Sequence, residues 1–131
     1  MSSETTTYNV YRVYLSQSRD PDHEGMALVP AHNFNQRAGR FYHVKGVVGL
    51  GMNYESQPGC RFGNIEGYKD SVLQFQIPRT KLDRFERIAA DRPPPYDPRV
   101  LTEMNPDPPV KNCSDWVDDV LNRAKGLILS C

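Results

Sequence analysis

The chain has 131 residues, and its 16 lysines and arginines balance 16 aspartates and glutamates. That length suits one domain, and zero net charge argues against a general polyanion binder, although a local basic patch stays open. No basic region followed by an apolar run opens the sequence, and no stretch nears the length of a bilayer-spanning helix, so a cytoplasmic protein is the expectation.

Residues 1–7 read as a polar N-terminal tail, and residues 8–131 as one domain. The run Tyr8 to Ser16, "YNVYRVYLS", alternates tyrosine and valine with polar residues, the period-two signature of a half-buried strand. "QSRDPDHEG" follows as a turn through Pro21 and Gly25, and leads into a short strand, "MALVP". "AHNFNQRAG" reads as a polar loop. It returns into "RFYHVKGVVGLGMNYES", an aromatic and β-branched run broken by glycines, which predicts one bent strand or a two-stranded hairpin. "QPGCRFGNIEGYKD" is loop by its glycines and Pro58, and "SVLQFQIP" is a further alternating strand.

Helix enters only after Pro78. "TKLDRFERIAAD" opens with Thr80 and Asp83 at capping-box spacing and sets Leu82, Phe85, Ile88 and Ala89 on one face. From Arg92 to Pro109 prolines are too dense for either regular element, which predicts an extended crossing of the surface. A second helix then begins at Asn112 as N-cap. Asp115, Asp118 and Asp119 lie in its early turns and Arg123 and Lys125 near its end, the distribution its dipole favours. Gly126 is the expected stop. The fold class is α+β: an antiparallel sheet packed against a C-terminal, cysteine-bearing helix.

Three cysteines, Cys60, Cys113 and Cys131, cannot all pair within the chain, which predicts free thiols. Cys113 stands in the first turn of the last helix, on the same stripe as Trp116, Val117, Val120, Leu121 and Ala124. Burial raises a thiol pKa, and the positive end of the helix lowers it. Asp115 and Asp118 oppose the thiolate, so activation needs a basic partner, and a histidine supplies one. His23 stands at the mouth of the "MALVP" strand, His43 inside "FYHVKG" with the parity of Phe41, and His32 in the loop between them. Cys113 as nucleophile, His23 as base and His43 as the orienting group make a complete constellation. The plainer readings are a core cysteine, a sheet histidine and a turn histidine. A His-His-Cys zinc site lacks a fourth ligand, and neither metal nor cofactor is expected. Tyr8 or Tyr11 could add an oxyanion donor.

The order "HEGMALVP", "GRFYHVKG", "NCSDWVDDVL" resembles the circularly permuted papain-like proteins. That group holds lecithin-retinol acyltransferase and its phospholipid-acting relatives, within the NlpC-type superfamily, and small fungal proteins share the pattern. The resemblance implies a permuted papain-like fold, with Cys113 as nucleophile, His23 as general base and His43 as third member of a thiol hydrolase or acyltransferase. The reaction would pass through a thioester, with a small-molecule or peptide acyl substrate. Glu24 replaces the aromatic common after the first histidine, and Ser114 and Asp115 depart from the usual residues after the cysteine. "LILSC" is too short for a membrane anchor. Two further readings belong beside this one: a binding module whose triad has lapsed, holding a partner in a groove or by the proline segment, and a polypeptide-directed isopeptidase.

Overall fold

The computed structural model describes residues 7–16, 23–31, 38–46 and 48–128. Strands β1 (Thr7–Leu15), β2 (His23–Pro30), β3 (Ala38–Lys45), β4 (Asn53–Arg61) and β5 (Tyr68–Pro78) are followed by helices α1 (Leu82–Asp91) and α2 (Cys113–Ile128). The five strands form one antiparallel sheet in the order β4-β3-β2-β1-β5. The fold is therefore α+β, with both helices on one face of the sheet. Among the described residues no helix is long and apolar enough to cross a membrane.

Side chains alternate across a strand, so each strand serves two cores. Val10, Met26, Leu28, Tyr42, Val44 and Ile77 face the helices and bury Phe85, Trp116, Val117, Val120 and Ala124. Val13, Leu15, Ala27, Val29 and Phe41, of the opposite parity, form a second core on the other face. Arg40 and Tyr42 hold α1 to the sheet, because both donate to Glu86 Oε2, at 2.8 and 2.7 Å.

Several boundaries differ from the sequence-based expectations. β2 begins at His23, not Met26, and Gly25 lies within it. β4 runs on to Arg61, through Pro58 and Gly59, where a loop was expected. The reason is its place at the sheet edge, where a missing N–H costs no ladder bond. The β3–β4 register also shifts there, between Gly39 and Phe41, which accommodates the extra residue as a bulge. β5 starts at Tyr68 rather than Ser71.

α1 begins at Leu82 after a 3₁₀ turn over Arg79–Lys81, and its N-cap, Lys81, makes no side-chain cap bond, so Thr80 does not cap it. The proline crossing contains a 3₁₀ turn, Pro98–Leu101, capped by Asp97. α2 continues past Gly126 to Ile128, since a single glycine weakens a helix without ending it. The start of α2 agrees with expectation. Asn112 Oδ1 accepts from the Ser114 N–H at 2.9 Å, and Asp115 Oδ2 accepts from the Asn112 N–H at 2.8 Å, a reciprocal capping box.

Candidate functional site: an imidazole chain and a buried thiol

His43 has the parity of Phe41 in β3, and its ring lies 4.8 Å from the Phe41 ring, on the face away from the helices. Antiparallel pairing makes His23 of β2 its diagonal neighbour on that face, close enough for long side chains to meet. The two rings are joined by a hydrogen bond of 2.8 Å between His23 Nε2 and His43 Nδ1. A side chain at position 25 would crowd this arrangement, because a Cβ on Gly25 would come within 2.7 Å of the Phe41 ring.

The chain of rings ends on a carboxylate. His43 Nε2 lies 2.8 Å from Glu55 Oε1 on β4, directly across the strand pair. Lys45 Nζ at 2.9 Å and Gln57 Nε2 at 2.8 Å hold the same carboxylate. The Lys45 hydrogen bond, then those of His43 and Gln57, pull the Glu55 pKa from 4.5 down to about 2. An ionised Glu55 accepts the Nε2 proton of His43 and so leaves Nδ1 of the neutral ring as an acceptor. His23 then donates from Nε2. Burial, reinforced by the neighbouring His43, lowers the His23 pKa below 6.5. His23 is thus the far end of an imidazole chain anchored on Glu55.

Cys113 is on the other side of the sheet. It is 8% exposed and belongs to the helix-facing core with Met26, Tyr42 and Trp116. Burial raises its pKa above the ordinary thiol value, and the Glu24 carboxylate pushes the same way. The backbone N–H groups of Glu24, Ser114 and Cys113 itself oppose that shift without overcoming it. Among the described residues no hydrogen bond joins the thiol to either imidazole. The structure therefore brings His23 and His43 together, sets Cys113 on the opposite side of the sheet from His43, and leaves the thiol beside the Glu24 N–H that follows His23.

Arg12, beside the start of α2, is held by other groups. Arg12 Nη1 donates to Asp118 Oδ1 at 2.5 Å and Nε to Glu24 Oε1 at 2.6 Å, while Nη2 donates to the Ser114 carbonyl and hydroxyl at 3.2 and 3.0 Å. Its donors are committed to locking the start of α2 onto β1. Tyr8 packs on the helix-facing core and Tyr11 on the other, so the two candidate oxyanion donors are also divided.

Arg12 and Glu55 were absent from the sequence-based candidates. Each is a charged residue at the correct strand parity, but its partner follows only from register, which the strand pattern does not state. His32 and Cys131 lie outside the described residues. Among the described residues no group of three or more His, Cys, Asp or Glu is arranged to hold a metal ion.

A separate cleft of about 720 Å³ opens between the proline crossing and α2, walled by Pro93, Pro94, Pro95 and Tyr96 on one side and by Trp116 and Arg123 on the other. Trp116 fixes the crossing by donating from Nε1 to the Arg92 carbonyl at 3.3 Å.

Residues 10–127 match the profile of DUF6540, a family of unknown function, and the chain belongs to that family. No curated protein and no solved structure matches it.

Proposed function

For this member of a family without an assigned activity, we propose a binding module built on a permuted papain-like scaffold whose thiol is not a working nucleophile. One observation carries this reading: the β-sheet lies between Cys113, in the helix-facing core, and the ring of His43 on the opposite face. His43, the orienting member, is thereby on the far side from the thiol; among the described residues no hydrogen bond joins Cys113 to the candidate base His23, and a desolvated thiol with a carboxylate beside it favours the neutral, unreactive form. Cys113 then serves as a small apolar residue under α2. The cleft beside the proline crossing is the surface on which the module holds its partner.

Iodoacetamide labelling at pH 6 tests this directly. In the native chain Cys113 should be alkylated no faster than Cys60 or Cys131, and urea should make it as reactive as the others. Fast labelling of Cys113 that disappears in His23→Ala would overturn the reading.

A thiol hydrolase or acyltransferase is the second reading, and one observation favours it. The Glu24 N–H reaches the Cys113 sulfur, which places the thiol beside the peptide that follows His23. A swing of the His23 ring around that peptide would let Nδ1 take the thiol proton. The thiolate would then attack an amide or ester carbonyl, release the amine or alcohol with that proton, and leave a thioester for water or an amine to resolve. A polypeptide isopeptide bond would be cleaved by the same steps.

A further inference from the structure

We infer that the exposed apolar patch built from the β3–β4 connection and the turn Pro98–Leu101 is a self-association surface, on which a second copy of this chain docks about a two-fold axis. The inference goes beyond the binding-module reading and does not rest on it.

Among the described residues the exposed large apolar side chains are Val72 and Leu73 on β5 and five others, Leu50, Tyr96, Val100, Leu101 and Met104, that gather in one place. Val100, Leu101 and Met104 line a common hollow with Pro106 and Val110. Leu50 bridges from there to Tyr96: a Cβ on Gly49, just before it, would come within 2.7 Å of the Val100 and Leu101 side chains, and a Cβ on Gly51, just after it, would lie 3.6 Å from the Tyr96 ring. Leu50 is 75% exposed and Met104 96%. Single apolar side chains on a surface are ordinary, but a contiguous set of this size marks an interaction site.

The patch is built before anything docks. A 3₁₀ turn, Val48–Leu50, lies against the turn Pro98–Leu101 at Gly49, where no larger residue fits. The Met52 N–H donates to the Pro95 carbonyl at 3.1 Å and the Asp97 N–H to the Val48 carbonyl at 3.0 Å. Arg99 ties the crossing back on itself by donating to the Pro108 carbonyl at 2.8 Å. A surface fixed in this way loses little conformational freedom on docking.

Area, shape and charge together select a second copy as the occupant. The five side chains expose on the order of 600 Å², the upper end for a monomer's largest patch. Two such patches face to face bury about 1,200 Å², the lower bound of a specific interface. Leu50 protrudes beside the hollow, whose volume is about 510 Å³. A two-fold axis between them seats Leu50 of each copy in the hollow of the other, the reciprocal contact that an isologous interface needs. The 16 basic and 16 acidic residues balance, so two copies do not repel at long range. A lipid-docking tip surrounds its apolar side chains with lysine and arginine, whereas the charged residue lining this hollow is Glu103.

Sedimentation velocity of the full chain across a concentration series provides the test. A reversible monomer–dimer equilibrium is expected, with a dissociation constant on the order of micromolar for an interface of this size. Leu50→Glu and Met104→Glu should each weaken the dimer by about tenfold or more, because every substitution enters an isologous interface twice. Leu73→Glu, on β5, should leave it unchanged. All three positions are exposed, and circular dichroism checks that the variants remain folded. A chain that stays monomeric at millimolar concentration, a dimer indifferent to both patch substitutions, or one dissolved equally by Leu73→Glu, as pairing of β5 edges would give, would overturn the inference. So would binding to phosphatidylcholine vesicles that Leu50→Glu and Met104→Glu abolish in a chain that does not dimerise.

Discussion

Glu55 sets the direction of the imidazole chain, and it does so from the surface. Its carboxylate holds the Nε2 side of His43, which in turn hands an acceptor to His23. Because its pKa is depressed from 4.5 to about 2, the unfolded chain binds more protons than the folded one between those values. Stability from this group is complete above the unfolded pKa and is lost as pH falls through the folded one. Urea midpoints measured from pH 5 to pH 2 should therefore fall more steeply for the native sequence than for Glu55→Gln. Parallel curves would show that the carboxylate is not anchored as described. His43's parity with Phe41 was legible in "FYHVKG", since alternation fixes a face. Its bond to Glu55 was not, because a cross-strand partner depends on a register that no short stretch of sequence contains.

Among the elements, α2 was the most legible and β4 the least. Asn112, Asp115 and the stripe from Trp116 to Ala124 are local signals, and the helix they describe is the one observed. Asn112→Ala removes the acceptor that holds the Ser114 and Asp115 N–H groups. The expected cost is about 1 kcal/mol, read as a lower urea midpoint with an unchanged slope. An effect below about 0.3 kcal/mol would mean that water satisfies those groups equally well. Thr80 and Asp83 carry a similar local signal for α1 and fail, because the chain enters that helix through a 3₁₀ turn after Pro78. β4 was hidden by Pro58 and Gly59, residues that exclude a central strand and are tolerated at an edge. Whether a strand is central or at an edge is decided by strand order.

At the scale of the molecule, one sheet carries two cores, and β1 joins them by placing Val10 on the helix side and Val13 on the other. The two faces share the same backbone ladder, so they should unfold together. Val13→Ala, on the face away from the helices, should destabilise the chain by about 1 to 3 kcal/mol. Fluorescence of Trp116, on the helix face, should report the same midpoint as far-UV circular dichroism. Separate transitions would show that the two cores are independent.

From the sequence alone came the α+β class, the succession of strands before helices, the cap and apolar stripe of α2, and the face that His43 shares with Phe41. All of these depend on periodicity, propensity and the chemistry of a few adjacent residues. Only the tertiary structure decided that Cys113 and His43 occupy opposite faces, that Arg12 is committed to Glu24 and Asp118, and that the proline crossing forms a wall of a groove. The physical reason is that a helix can dock on either face of a sheet without changing its own pattern. The face it takes is set by which alternating set of side chains buries it, and that choice puts Cys113 and His43 on opposite sides of the sheet.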